Sequence, residues 1–377
     1  MKIGIVTFYR VANYGAMLQA YSLWKRLEEM GHEVVFVAHP RLVAPRIPLW
    51  KVFVSRRIKG MKTKLNSYLR YPITEFAQHF PQTRFCTTTD EVRLATADCD
   101  AFIVGSDQMW NPLWCSGGHL PLVMLDFAPE GKPRIAYAAS FGTTVWREDQ
   151  NATLAGQLLG KFSAVSTREE SGVELVRALS GRSDARCVLD PTLLNEAEFY
   201  REIVGRAKAS CPPEKPYIFK YLLEWDDGPV MHQALAFVRS MLNIRQVETD
   251  QTPAKGWVGM MARPLRATGK LAVAHWLDRI ANSDFVFTNS FHGTVFAILF
   301  HKPFVSLLLR GPMSGMNERA LSLLKKLGLE SHAVYADDQL AIKAAVESKI
   351  DWQLVDDALI SQRVKAIDFI ESALNNE

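Results

Sequence analysis

The sequence predicts an α/β protein of two consecutive doubly wound, Rossmann-like domains with a cleft between them. Three observations carry this. Short apolar runs of strand length alternate with longer amphipathic stretches, the pattern of parallel sheets covered by helices on both faces. The alternation stops at Cys211-Pro212-Pro213-Glu214-Lys215-Pro216, a proline-rich linker signal, and then resumes. At 377 residues the chain is long for one core and ample for two. The expected division is 1–210, then 211–350, with 351–377 a last helix that packs back on the first domain.

In chain order, Ile3 to Phe8 reads as a buried strand, Tyr9 to Tyr14 as a loop, and Gly15 to Met30 as a helix. That helix carries Met17, Tyr21, Trp24, Leu27 and Met30 along one stripe and ends at Gly31, a C-cap signal. Glu33 to Ala38 is the next strand, completing a unit of the length of a right-handed parallel crossover. A helical spacing follows from about Trp50 to Leu69. Further strands are expected at Ala101 to Val104, Arg134 to Ala138, Ala164 to Ser166 and Cys187 to Leu189, with helices over 151–161 and 171–180. Past the linker, strands are expected at Tyr217 to Leu223, Ile244 to Glu248, Asp284 to Asn289 and Pro303 to Leu309. Helices are expected at Val230 to Leu242, His275 to Ala281, Glu318 to Leu327 and about Trp352 to Leu374.

Unusual polar residues fall just after the expected strands, where ligands bind in such sheets. The most informative is Ser290-Phe291-His292-Gly293-Thr294-Val295, between a strand run and a buried helix. Its backbone N–H groups, those of Gly293 and Thr294 included, are expected to cradle an anion at the helix start. His292 would add a group that carries a proton near neutral pH; packing is the plain alternative for a lone histidine. After the third strand come Asp107, Gln108 and Asn111, a carboxylate and two amides suited to sugar hydroxyls, although Asp107 also reads as a simple cap. Asn13-Tyr14-Gly15 opens the first helix, and Ser140 follows the fourth strand. Cationic candidates for the anion are Arg168, Lys220, Arg310 and Arg319, the last after a Gly/Met-rich loop, 311–317.

Several classes are disfavoured. No G-x-G-x-x-G fingerprint opens the first unit, so a nicotinamide site is not expected. The five cysteines form no ligand spacing, which points to reduced thiols and no metal. No segment approaches a membrane span, and Met1 to Phe8 is too short for a signal-peptide core, so a cytoplasmic location is expected. The net charge of +4 is unevenly spread: 41–74 holds nine basic and no acidic residues, leaving the remainder at −5. With Trp50, Phe53, Ile58, Met61 and Leu65 interleaved, that stretch fits an interfacial element contacting an anionic membrane at its inner face. Nucleic acid is not expected, since no reading motif accompanies the charge.

The chain resembles the polysaccharide pyruvyl transferase family. The resemblance runs through Gly4-Ile5-Val6-Thr7, Asn13-Tyr14-Gly15-Ala16-Met17-Leu18-Gln19-Ala20-Tyr21, Gly105-Ser106-Asp107-Gln108-Met109-Trp110-Asn111 and Tyr137-Ala138-Ala139-Ser140-Phe141-Gly142. It continues in Arg168-Glu169-Glu170-Ser171-Gly172, Leu189-Asp190-Pro191-Thr192, Thr288-Asn289-Ser290-Phe291-His292-Gly293-Thr294 and Asn317-Glu318-Arg319. It implies a fold similar to GT-B glycosyltransferases, phosphoenolpyruvate as co-substrate, and no cofactor or metal. The implied acceptor is a sugar of a surface polysaccharide (capsule or exopolysaccharide) or of its lipid-linked precursor, ketalised on two hydroxyls with release of phosphate. Several members carry Arg two residues before the histidine, where this chain has Ser290; either Lys220, Arg310 or Arg319 supplies that charge, or the donor differs. On this reading His292 and Asp107 are catalytic. Ser290, Gly293, Thr294, Arg319, Arg168, Lys220 and Arg310 serve the donor, and Asn13, Tyr14, Gly15, Gln108, Asn111 and Ser140 the acceptor. A sugar-nucleotide glycosyltransferase of the same fold and a non-catalytic glycan-binding protein are the alternatives.

Overall fold

A computed structural model describes residues 1–44, 71–112, 118–146, 151–206, 215–223, 228–249 and 272–375. The N-terminal half holds β1 (Lys2–Val6), α1 (Tyr14–Glu29), β2 (Glu33–Phe36), α2 (Thr89–Ala95), β3 (Ala101–Val104), α3 (Leu120–Val123), β4 (Arg134–Ala139), α4 (Ala152–Leu159), β5 (Ala164–Thr167), α5 (Glu170–Ser180), β6 (Arg186–Cys187) and α6 (Ala197–Arg206). The C-terminal half holds β7 (Tyr217–Tyr221), α7 (Pro229–Leu242), β8 (Gln246–Thr249), α8 (Ala272–Ala281), β9 (Phe285–Thr288), α9 (Phe291–Leu299), β10 (Phe304–Leu308), α10 (Glu318–Lys326), β11 (Ala333–Tyr335), α11 (Gln339–Glu347) and α12 (Trp352–Asn375).

Each half is built on its own parallel sheet. The first has the order β2-β1-β3-β4-β5-β6 and the second β11-β10-β9-β7-β8. The central strands are buried on both faces, as β3, β4 and β9 are throughout, which is why they read as continuous apolar runs. Both orders reverse direction partway, so the loops at the strand carboxyl ends splay apart and leave room for side chains between them.

The halves share one hydrophobic core along part of their boundary. The Tyr14 ring stacks on Trp276 of α8 at 5.2 Å, and Trp276 meets Phe296 of α9 edge-on at 5.3 Å. Tyr200 of α6 also meets Phe296 edge-on, at 4.9 Å. At another point Lys326 of α10 pairs with Glu170 of α5 at 2.8 Å. Helix α12 leaves the C-terminal half and crosses the first sheet. Phe369 lies against Tyr137 of β4, and Arg363 Nε donates to the Leu193 carbonyl at 2.7 Å.

Five of these elements, α2, α3, α6, β11 and α11, are not among those expected from the sequence; none exceeds ten residues. The fragment expected to be a flexible loop, Gly311–Asn317, is a 3₁₀ helix, pinned where the Asn317 side chain exchanges hydrogen bonds with both backbone groups of Leu309. The expected helix from Trp50 to Leu69, most of the basic stretch, and Cys115 and Cys211 lie outside the described residues.

Candidate functional site

Every group of the site stands just past the carboxyl end of a strand or in the helix that follows. From the N-terminal half come Ser106 and Asp107 after β3, Arg168 and Glu169 after β5, and Asp190 after β6. From the C-terminal half come Phe291 and His292 in the first turn of α9, and Arg319 in that of α10. Sequence thus distributes the site over both halves, and the seam between them assembles it.

Asp190 is the hub. Its side chain is 0% exposed. Its Oδ2 accepts from Ser106 Oγ at 2.7 Å and from Arg168 Nη1 at 2.8 Å. Its Oδ1 accepts from the Thr192 backbone N–H at 3.0 Å and from Thr192 Oγ1 at 2.6 Å. His292 Nε2 lies 3.7 Å from Oδ2, across the seam. Burial alone would push this carboxyl up. The nearby imidazole of His292 and its charge, the charge of Arg168 and the Thr192 hydroxyl overcome that and hold the group well below the usual carboxylate range.

Arg168 is 1% exposed and is read from both sides. Its guanidinium lies over the Phe291 ring at 4.5 Å, and its Nη2 lies 3.9 Å from Asp107 Oδ1. Asp107 itself is the most accessible carboxylate of the group, at 15%. It sits at φ +76°, a left-handed conformation that aspartate tolerates better than most residues, and this lets its carbonyl accept from Ser140 N–H at 3.0 Å.

Arg319 is buried, with Nε donating to the Met316 carbonyl at 3.2 Å. Burial and then the charge of Arg168 draw it down to about 10, while Asp107, Glu169 and Asp190 oppose the fall, so it stays a cation at neutral pH. Glu169 is also buried, and burial raises its carboxyl against the pull of Arg168 and Arg319. One of its oxygens accepts from Ser140 Oγ at 2.9 Å and from the Phe141 N–H at 3.0 Å. Arg168 Nε and Nη2, Glu169 Oε2 and His292 Nε2 are all buried and lack hydrogen-bond partners among the described residues. A polar group in that condition is costly unless something completes it.

His292 stands where it does because the chain leaves it no alternative. Ser290 caps α9, its Oγ accepting from Gly293 N–H at 3.4 Å, which fixes the start of the helix. The imidazole then lies flat against Gly15 of α1: a Cβ built on Gly15 would fall 2.0 Å from His292 Nδ1. Glycine is required there by close approach rather than by backbone angle.

The remaining expected residues are placed as follows, several in correction. The Gly293 and Thr294 N–H groups do not await an anion, since they already donate to Ser290 Oγ and to the Ser290 carbonyl. The Thr294 hydroxyl bonds inward to Ser306, at 2.9 Å. Tyr14 is buried, with its ring packed at the seam against Trp276 and Tyr221. Gly15 faces His292 instead of an open acceptor surface. Asn13 is the N-cap of α1, accepting from Ala16 N–H at 3.2 Å. Ser140 is fully buried, between Glu169 and the Gly142 N–H. Gln108 and Asn111 are buried and joined, Asn111 Nδ2 donating to Gln108 Oε1 at 2.6 Å. Arg310 is turned to the sheet edge, paired with Asp337 at 2.8 Å and lying over Tyr335 at 3.9 Å, because β11 and the residues just after it supply both partners. Lys220 lies within β7, in register with Thr249 and Phe287, one residue short of the carboxyl edge. Of the four cations considered, Arg168 shares Asp190 Oδ2 with His292, and Arg319 is coupled by charge to Arg168 and Asp190.

Asp190, Ser106, Glu169 and Phe291 were not singled out as site residues. Asp190 carried one usable signal, an aspartate before proline after a strand; the other three read as neighbours of better candidates.

The model of the family described as polysaccharide pyruvyl transferase matches residues 13–309. No protein of curated function matches the sequence. Among solved structures, the chain is similar in fold to UDP-GlcNAc 2-epimerase from Neisseria meningitidis bound to UDP-GlcNAc, at 10% identity and TM-score 0.52, covering 97% of this chain and 99% of that one. It is likewise similar to UDP-N-acetylglucosamine 2-epimerase from Rickettsia bellii, at 10% identity and TM-score 0.52, covering 100% and 97%. These likenesses show a two-domain GT-B-type fold. Among the described residues no group of histidine, cysteine or acidic side chains could hold a metal ion, and no helix is long and apolar enough to cross a membrane.

Proposed function

The chain belongs to the polysaccharide pyruvyl transferase family, and from that premise we propose that it moves the enolpyruvyl group of phosphoenolpyruvate onto two hydroxyls of a sugar, in a surface polysaccharide or its lipid-linked precursor. The observation that carries the reading is that His292 and the buried Arg168 converge on one oxygen of Asp190 at the seam, with the buried cation Arg319 coupled to Arg168 and Asp190 and with Arg168 N–H groups lacking hydrogen-bond partners among the described residues. Such a cluster is built for a small, multiply charged anion.

The chemistry then runs as a balanced addition. His292, as imidazolium, gives its proton to the methylene carbon of the donor, which becomes a methyl group. The positive charge that develops at C2 is met by a sugar oxygen, whose proton passes to Asp107. The bond from C2 to the phosphate oxygen breaks, the leaving oxygen takes the proton held by Asp107, and hydrogen phosphate departs toward Arg168 and Arg319. A second sugar hydroxyl closes the ketal, and its proton restores the imidazolium. No water is consumed. Asp107 suits the role of base as the most accessible carboxylate of the group.

The test is mass spectrometry of lipid-linked and free sugars incubated with phosphoenolpyruvate, looking for a product heavier by one pyruvate less water. Release of nucleotide from a sugar nucleotide, with no such product, would favour glycosyl transfer instead. His292→Ala is expected to lower turnover about 10²–10⁴-fold; near-parental turnover would end the assignment of the acid. The basic stretch 41–74 supports a peripheral contact with anionic lipid, expected as liposome binding that weakens with salt.

A further inference from the structure

We propose that Asp190 is a positioning residue of the transfer: a buried carboxylate from the N-terminal half that both aims Arg168 and steadies the charged form of His292 arriving from the C-terminal half. The inference rests on the reading of His292 as the acid.

The geometry assigns two jobs to one group. On Oδ2, Asp190 takes Arg168 Nη1 at 2.8 Å, and this bond leaves Nε and Nη2, the unpaired N–H groups, on the remaining side of the guanidinium. The Phe291 ring below and Asp107 at 3.9 Å complete the orientation. The same Oδ2 is 3.7 Å from His292 Nε2, close enough for attraction and too long for a hydrogen bond. The imidazole is thus pulled by charge while its Nε2 proton stays uncommitted. Two further donors, Ser106 Oγ and Thr192 Oγ1, keep the carboxylate from rotating.

The groups around His292 make the assignment specific. From α1 the contact is Gly15, which has no charge. From the strand ends of the N-terminal half the charged groups are Asp190, Arg168 and, behind Arg168, Asp107 and Glu169. From α10, Arg319 is coupled by charge to Arg168, Asp107, Glu169 and Asp190 of this set. Arg168 and Arg319 disfavour a second cation beside them, so an ionised Asp190 is what offsets them. This partner exists only while the halves are together, since no carboxylate of the C-terminal half lies within ion-pair distance of His292 among the described residues.

The experiment compares Asp190→Asn with the parent in two ways. The first is kcat/KM against pH. An acid must be protonated, so activity falls on the alkaline side, and loss of the neighbouring negative charge is expected to move that limb to lower pH. The donor KM is expected to rise about tenfold as Arg168 loses its anchor. Ser106→Ala removes a hydrogen bond and keeps the charge; it is expected to leave the limb in place. A uniform loss of activity with an unmoved limb means that Asp190 only supports the fold, and it overturns the proposal.

The second is NMR titration of the His292 ring in labelled protein, assigned by the signal missing from His292→Gln. It needs no turnover. The signal is expected to titrate at lower pH in Asp190→Asn than in the parent, and an unshifted titration overturns the proposal whatever the reaction proves to be. A shifted titration with no pyruvylated product from any sugar would leave the positioning role standing and remove the proposed reaction. Should Asp190→Asn fail to fold, the same titration is run on Arg168→Gln against the Arg168→Gln/Asp190→Asn double variant, which leaves no buried arginine without its carboxylate.

Discussion

The distance that decides most is the one between Gly15 and His292. A single added methyl at Gly15 would land 2.0 Å from the imidazole nitrogen, so either the ring or α1 must move. Backbone at both positions is fixed by caps, Asn13 for α1 and Ser290 for α9, and the ring has less resistance than the helix. Gly15→Ala is therefore expected to cost at least about 10²-fold in turnover, as a misplacement near 1 Å does, while circular dichroism stays that of the parent. Equal turnover would show that His292 does not need its present position. The same residue scale explains the sequence errors. Tyr14, Ser140, Gln108 and Asn111 are polar residues next to a site, and their sequence suggests ligand contacts. Each instead satisfies a neighbour: Tyr14 stacks, Ser140 supports Glu169, and the two amides pair. Polarity in a sequence says that a group needs a partner and not which partner it has.

At the scale of an element, α9 is the decisive piece. Strand β9 ends at Thr288, the Ser290 N–H donates to Thr288 Oγ1 at 3.0 Å, and Ser290 then caps the helix. Its capping uses up the very N–H groups that the sequence offers as an anion cradle, which shifts the burden of binding to Arg168 and Arg319. Ser290→Ala is expected to destabilise the protein by about 1 kcal/mol, the worth of a cap, seen as a lower urea midpoint. If the cap also fixes the angle at which His292 leaves the helix, kcat falls with it and the donor KM changes less. The strand–turn–helix itself was legible, because Asp284 to Asn289 is strand-like and Phe296 to Phe300 is too apolar for a surface. The start of the helix was not: Phe291 to Val295 carries a glycine and β-branched residues, and only tertiary burial makes it helical.

At the scale of the molecule, the site exists because two sheets are held face to face by aromatic contacts away from the chemistry. Trp276 touches Tyr14, Tyr221 and Phe296 at once. Trp276→Ala is expected to cost about 3–5 kcal/mol and to enlarge the radius of gyration in X-ray scattering; an unchanged radius would mean that the remaining seam suffices. Acid should act through Asp190. Its folded-state carboxyl is held well below the usual range, so the folded protein binds fewer protons there than the unfolded chain. The stability this gives is present above the unfolded value, about pH 4, and is lost as pH falls below it. Urea midpoints are expected to be flat from about pH 5 to neutrality and to drop below about pH 4, with the drop shallower in Asp190→Asn. An equal drop in both would assign acid sensitivity elsewhere.

The sequence by itself determined the fold class, the two alternating halves, the placement of polar residues at strand ends, and His292, Asp107, Arg168 and Arg319 as candidates. These are local properties: periodicity, apolar runs and breaks fix them within a few residues. Which candidates meet was decided only by tertiary structure. Asp190 and His292 are 102 positions apart and belong to different sheets, so no pattern along the chain records the 3.7 Å between them. Arg310 and Arg319 look alike as cations nine residues apart; Tyr335 of β11 and Asp337 just beyond it hold one outward, and α10 carries the other into a buried position. Contact across the seam is a property of two packed surfaces, and a linear sequence states each surface without stating how they come together.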